Sequence, residues 1–388
     1  MKRILQISSR LPYPLDDGAR IATWNLSRCL KHNGYTLDLI CFARDEGDVR
    51  EASETLSQVF DSVSPVIKNV ERQYPRALIR SFLKRSSYFV EKYYEEELAE
   101  KMRGLYRARN YDVTLIDSAY MGVYARIARE HPEASGRLVV RAHNVEFELL
   151  ERLASGEKRP WYRPILKREA RLFKRSELSL INEMDQVFTI TDRDAEKFRS
   201  VGAEGKLVPL SPFIDMDHYC LEGSGAQQTG DVVCVGNMAW MPNRNGILWF
   251  CKNVWPQVRA AQPDAKFWIV GKNPPSEISR LDGVDGITVT GYVEDERPYI
   301  ARSHLFVVPL LEGSGVRIKI LTAMAMGCSV LSTTVGAEGI SWDGLTLCDA
   351  PEQWAETIIE RLQSPPSVDP EAVEYIARNY DWRRELSI

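Results

Sequence analysis

The sequence predicts an α/β protein made of two doubly wound, Rossmann-like domains. Three observations carry that prediction. Short apolar runs alternate with longer amphipathic stretches from end to end, the βαβ rhythm of a parallel sheet. The rhythm pauses once, between residues 206 and 230, and then starts again. The 388 residues are long for one hydrophobic core and comfortable for two.

In the first half the runs "RILQISS" (3–9), "TLDLICF" (36–42), "DVTLID" (112–117), "RLVVRAHN" (137–144) and "QVFTIT" (186–191) read as buried strands separated by helix-length segments. "KLVPLSPFIDMDHYCLEGSGAQQTG" (206–230) has little periodicity and holds the domain linker. A second series follows: "DVVCVG" (231–236), "AKFWIVG" (265–271), "GITVTG" (286–291), "HLFVVPL" (304–310) and "SVLSTT" (329–334). The expected domains are 1–210 and 231–374, with a linker at 211–230. The end of the chain, 375–388, reads as a final helix. Ligands of such sheets bind beyond the carboxyl ends of the strands, so chemistry is sought just after each strand.

The totals bound the partners. Fifty basic against 54 acidic residues argue against a dedicated nucleic-acid binder. Seven cysteines without a C-x-x-C pair read as reduced, buried thiols of a reducing compartment, and with five scattered histidines no metal site is expected. The N-terminus does not read as a signal peptide, and no run approaches ~18 apolar residues, so a cytoplasmic protein is expected.

After the first strand, Gly18 lies at the start of a helix, where it either ends a turn or leaves N–H groups open to an anion. His143 follows the "RLVVRA" strand and either packs or bonds a ligand. Gly236 and Asn237 end another strand, where glycine permits close approach of a ligand. The most specific stretch is "HLFVVPLLEGSGVRIKILTAMAMG". A strand runs into a Gly-Ser-Gly turn, and a helix ending at Gly327 carries Arg317 and Lys319 at its start. Cations there oppose the helix dipole by ~0.3–1 kcal/mol each. Either both reach solvent, or they converge with backbone N–H groups on a bound anion.

With these residues in view, "GSGVRIKILTAMAMGCSVLSTTVGAEGI", "RAHNVE" and "GNMAWMPNRNGILWF" resemble the GT-B glycosyltransferases, specifically glycosyltransferase family 4 and its bacterial exopolysaccharide and lipid-linked glycan subgroup. The resemblance covers nearly the whole chain and is strongest from about 231 to 340. It implies two domains facing a cleft and a retaining, metal-independent sugar transfer from a nucleotide diphosphate donor, with no cofactor. The implied acceptor is a glycan, a lipid-linked glycan or a small molecule. By the same resemblance Arg317 and Lys319 hold the donor phosphates, and Gly313, Ser314 and Gly315 line the sugar and pyrophosphate. Tyr292 and Val293 hold the nucleobase through backbone groups. His143 orients the donor sugar, Glu312 binds its hydroxyls, and Gly18 faces the pyrophosphate. The final helix is implied to cross back to the first domain. The family carries two glutamates spaced E-x7-E, the second just before "AMA", where this chain has Thr322. Threonine accepts one hydrogen bond but brings no charge to the ribose. Alternatives are a nucleotide-sugar-binding protein without turnover and a GT-B sugar-nucleotide epimerase.

Two first-domain segments are basic. Arg72, Arg76, Arg80 and Lys84 recur at helical spacing, near one helix face. Residues 158–175 carry eight cations interleaved with Trp161, Tyr162 and Phe173, and read either as a solvated helix face or as a contact for an anionic membrane surface.

Overall fold

A computed structural model describes residues 2–15, 18–221, 231–313 and 315–388. The chain divides into two units, Met1–Pro212 with Arg383–Ile388, and Phe213–Trp382.

Among its described residues the first unit holds β1 (Arg3–Ser8), β2 (Thr36–Ala43), β3 (Ser62–Ile67), β4 (Val113–Asp117), β5 (Arg137–Ala142), β6 (Gln186–Thr189) and β7 (Leu207–Pro209). They pair in the order β3-β2-β1-β4-β5-β6-β7, every pair parallel. Apart from Arg3 and Thr36 the central strands are buried, as their largely apolar runs require, with Gln6, Asp38, Thr114 and Asp117 among the buried polar exceptions. The described strands of the second unit are β8 (Asp231–Val235), β9 (Phe267–Val270), β10 (Ile287–Gly291), β11 (Ser303–Val308), β12 (Val330–Ser332) and β13 (Thr346–Leu347). Their order is β10-β9-β8-β11-β12-β13, again all parallel. Alternate residues feed opposite cores: Val233 and Phe306 pack on one face of this sheet, Val232, Cys234 and Leu305 on the other. Each order reverses beside its first strand, between β1 and β4 and between β8 and β11, and these are the switch points at which doubly wound sheets bind ligands.

Three strands lie outside the runs read from sequence. β3, "SVSPVI", is half polar and contains Pro65, which an edge strand tolerates because its outer N–H needs no partner. β7 falls at the start of the segment read as linker, where Val187 and Leu210 bond across to it and to β6. β13 is two residues long. The expected linker 211–230 is also partly built in, since Ile214 and Tyr219 enter the second unit's core; residues 222–230 lie outside the described residues.

The final helix spans Pro370–Tyr380 rather than 375–388. Its apolar face, Ala372, Ile376 and Tyr380, is buried with the second unit's core, beside the helix Ile318–Ala325, so it stays with that unit. What belongs to the first unit is the non-helical tail Arg383–Ile388. There Asn33 Nδ2 donates to the Arg384 carbonyl at 3.1 Å, and the Ile388 N–H donates to the Tyr35 hydroxyl at 3.1 Å.

The basic segments also differ from their reading. Pro75 opens the helix Pro75–Leu83, so Arg72 precedes it. Phe173, one of the three interleaved aromatics of 158–175, is buried in the core on the inner face of the helix Arg163–Glu183. No helix among the described residues is long and apolar enough to cross a membrane.

Candidate functional site

In the second unit, β11 delivers the chain to its switch point, and Leu310 bonds back to Val308 before the glycine turn. Gly313 has φ +125° and Gly315 φ +82°, conformations that side chains rarely adopt. Ser314 lies outside the described residues. Arg317 occupies the N-cap position of the helix Ile318–Ala325 without a side-chain capping bond, and Gly327 (φ +67°) closes the helix: the Gly327 N–H donates to the Met324 carbonyl and the Cys328 N–H to the Ala323 carbonyl. Both cations therefore stand at the helix start.

They are also packed rather than splayed into solvent. Arg317 is 6% exposed, and its guanidinium lies 5.8 Å from the centre of the Trp240 ring. A Cβ on Gly313 would meet Arg317 Nη2 at 2.7 Å and Trp240 at 3.6 Å, so glycine is what lets the guanidinium lie there. Lys319 Nζ donates to Asn243 Oδ1 at 2.8 Å, and Asn243 Nδ2 donates to the Asn237 carbonyl at 2.9 Å. Gly236 completes the group: a Cβ there would lie 2.7 Å from Asn243 Nδ2 and 3.0 Å from Lys319 Nζ. Burial pushes the Lys319 ammonium below the ordinary lysine range, Cys234 opposes this, and Arg317 adds to it.

The structure thus gathers Gly236, Asn237, Gly313, Arg317 and Lys319. The other candidates of this unit do not bond the two cations' side chains. Glu312 is exposed and accepts from Asn245 Nδ2 at 2.8 Å. Gly291 turns with φ +69°; beyond it Tyr292 is exposed while Val293 packs on the core. Thr322 is buried, and its hydroxyl donates to the Lys319 carbonyl at 3.1 Å. Trp240, Asn243 and Asn245 were not singled out by sequence reasoning. Their signal was the "AWMPNRN" stretch (239–245), which leads from the end of β8 into the first turn of the helix Met241–Asn253.

The first unit has a cavity of about 280 Å³ beside the ends of β1, β4 and β5, with charged and apolar side chains in its lining. Arg10, Arg20, Tyr93, Tyr120, His143 and Glu146 are among its lining residues. Gly18 opens the helix Gly18–His32, whose Ala19 and Arg20 line the cavity. His143 Nε2 lies 2.8 Å from Asp117 Oδ1, and Arg141 stands 3.6 Å from the same oxygen. Burial alone would raise the Asp117 pKa, but the His143 imidazole and the Arg141 guanidinium hold it well below the usual carboxylate range. Tyr120 donates to Glu146 Oε2 at 2.7 Å. Behind Glu146, the buried Glu177 accepts from the N–H groups of Glu146 and Phe147 at 3.2 and 2.9 Å. Burial and then the Glu146 charge push Glu177 up to about 8. Sequence reasoning singled out neither Asp117 nor Glu177: the strand-end position in "DVTLID" was the one signal for Asp117, and Glu177, inside a helix, gave none.

Comparison with known proteins follows the same division. A family model described as glycosyl transferases group 1 matches residues 229–364. A Klebsiella pneumoniae protein described as an uncharacterized 44.6 kDa protein in the cps region is 26% identical over 401 residues, which cover 100% of this chain and 98% of that one. HepE of Anabaena, solved in complex with UDP, matches with TM-score 0.65 at 14% identity, covering 98% of this chain and 96% of that one. Sucrose-phosphate synthase of Thermosynechococcus elongatus matches with TM-score 0.64 at 16% identity and the same coverages. At these identities the structural likeness carries the fold, and the fold is GT-B, two Rossmann-like domains. By that fold and by the match over residues 229–364, the chain is similar to the group 1 glycosyl transferases.

Proposed function

We propose that the chain transfers a sugar from a nucleoside diphosphate to a hydroxyl acceptor, with retention of anomeric configuration and without a metal ion. The observation that carries this reading is the placement of Arg317 and Lys319 at the start of one helix, behind the glycine turn at the β8/β11 switch point. Two half-buried or buried cations at a positive helix end are a cost unless an anion joins them. A diphosphate supplies that anion and restores the Lys319 proton affinity that burial lowers.

As the bond from C1 of the sugar to the β-phosphate oxygen breaks, negative charge grows on that phosphate. Arg317, Lys319 and backbone N–H groups of the Gly-Ser-Gly segment read from the sequence stabilise it as it develops, the role a metal plays elsewhere. The acceptor oxygen bonds C1 on the face the phosphate leaves, and its proton passes to the departing phosphate. Backbone groups of Tyr292 and Val293 take the base, Gly236 and Asn237 border the phosphates, and Glu312 takes sugar hydroxyls. Thr322 stands for the ribose-side carboxylate. In the first unit, His143, held by Asp117, orients sugar hydroxyls, and Gly18 lends its helix N-terminus.

Solved HepE structures hold UDP and UDP-glucose, which makes UDP-sugars the first donors to test. The cps-region relative supports an acceptor drawn from polysaccharide assembly: a glycan, a lipid-linked glycan or a small molecule. A panel of nucleotide sugars, with and without acceptor, should release nucleoside diphosphate only in productive pairs, insensitive to EDTA. NMR of the product should show the donor's anomeric configuration. Nucleotide binding with no product from any pair would instead favour a binding protein without turnover, and an inverted product or loss of activity in EDTA would overturn the mechanism.

A further inference from the structure

We propose that the first unit docks on an anionic membrane surface through the helix Pro75–Leu83, whose apolar side chains enter the interface. The helix is built the wrong way round for a soluble surface. Ala77 and Ser81, one turn apart, are its buried residues. On the opposite side stand Leu78, Ile79, Phe82 and Leu83, all exposed, Ile79 at 60% and Leu83 at 80%. Large apolar side chains clustered outward on one face mark an interaction surface.

The surface continues onto a second element. The Arg168 guanidinium lies 4.6 Å over the Phe82 ring, which joins this helix to Arg163–Glu183. One turn before Arg168, Ile165 is exposed, and one turn before that Trp161 is exposed. A tryptophan at such a boundary suits the headgroup layer, where its ring is half in apolar and half in polar surroundings.

Charge decides the partner. Residues 72–85 contain Arg72, Arg76, Arg80, Lys84 and Arg85 and no acid; residues 158–168 contain Lys158, Arg159, Arg163, Lys167 and Arg168 and no acid. The carboxylates facing the patch are engaged: Glu91 is buried with Arg80 and Lys84, Glu169 with Arg168, and Glu157 pairs with Arg159. Arg76, Arg85, Arg163 and Lys167 have no salt bridge among the described residues. A second copy pairing through this face would set like charges against each other. An anionic bilayer takes the apolar stripe and the flanking cations together. The segment 158–175 thus contributes Trp161, Ile165 and cations, and the helix Pro75–Leu83 supplies the apolar depth that 158–175 lacks.

The test uses the full chain without donor or acceptor, so it stands apart from the transferase reading. Co-sedimentation is measured with phosphatidylglycerol-rich and with phosphatidylcholine vesicles across a salt series. We expect binding to the anionic vesicles that weakens with salt. Ile79→Glu with Leu83→Glu should lower partitioning at least ~10-fold, since both charges must then enter the apolar layer. Its melting temperature should match the wild type, because both side chains are exposed. Arg72, Arg76 and Arg85 changed to Gln should flatten the salt dependence, and Val284→Glu with Leu347→Glu, exposed positions of the second unit, should change nothing. Equal sedimentation with neutral vesicles, absence of binding to either, or wild-type binding by the Ile79/Leu83 variant would each overturn the proposal. So would a dimer in sedimentation velocity that this variant abolishes while vesicle binding persists, which would give the face to a second copy.

Discussion

The ammonium of Lys319 donates to Oδ1 of Asn243 at 2.8 Å, and the amide of Asn243 donates onward to the Asn237 carbonyl, so one asparagine ties the helix cation to the end of β8. Lys319→Met should lower turnover by ~10²–10³-fold through lost stabilisation of the departing phosphate. It should not lower the melting temperature, because a desolvated ammonium is removed along with its cost. Asn243→Ala should do the reverse in kind: it leaves that ammonium without its acceptor, costing ~1–3 kcal/mol of stability. Kinetics and thermal melts on both variants check the pair. Full activity of Lys319→Met would remove the residue from the mechanism.

Gly313→Ala tests the packing of Arg317. The new methyl would meet Nη2 at 2.7 Å, and the residue would be held at φ +125°. Strain of ~1–3 kcal/mol and a displaced guanidinium should appear together, with turnover reduced ~10-fold or more. Gly104→Ala is the control, since a Cβ in that helix meets nothing within 4 Å and should stabilise by ~0.5–1 kcal/mol. If Gly313→Ala melts and turns over as the wild type does, the close approach of Arg317 is not needed.

Much of this was legible because parallel strands must be apolar on both faces, and β1, β2, β4, β5 and β8 show it in their sequences. The glycine turn and its two cations were legible because each contradicts a local preference: φ above zero at Gly313, positive charge at a helix start. Asn243 and Asp117 were harder to single out. Each is an ordinary residue type at a strand or helix end, and only the fold brings Lys319 to one and Arg141 to the other. The edge strand β3 escaped because Pro65 reads as a breaker, and the final helix was misplaced because its apolar face names no partner. The exposed Leu78, Ile79, Phe82 and Leu83 read as core by type, and only the burial of Ala77 and Ser81 shows which way the helix faces.

Asp117 and His143 should separate stability from activity. Asp117→Asn removes the charge beside the buried Arg141 and should cost ~3–5 kcal/mol, the scale for leaving one member of a buried pair alone. His143→Gln leaves Asp117 with Arg141 and should cost about 1 kcal/mol, while turnover falls ~10–10²-fold if the imidazole orients sugar. Urea unfolding and kcat/KM on the two variants check this. Equal stability losses would mean that His143 is a packing residue first.

Glu177 makes a pH prediction. Its carboxyl is pushed up to about 8 by burial and by Glu146, against an ordinary value of 4.5. A folded pKa above the unfolded one means the folded state holds the proton more tightly. The resulting stability is full below about pH 4.5 and is lost as pH rises through about 8, a change on the order of a few kcal/mol. Asp117 works in the opposite direction and in another window, losing its contribution only as the solution becomes acidic. Glu177→Gln cannot ionise. It keeps one oxygen for one of the two N–H donors of Glu146 and Phe147, so at acidic and neutral pH, where the wild-type carboxyl holds its proton, it should be less stable by ~1–3 kcal/mol. Its loss of stability between pH 5 and 8.5 should be shallower than the wild type's, and the two curves should converge toward alkaline pH. Parallel curves, differing by a constant offset, would show that Glu177 does not titrate across this range and serves the helix start alone.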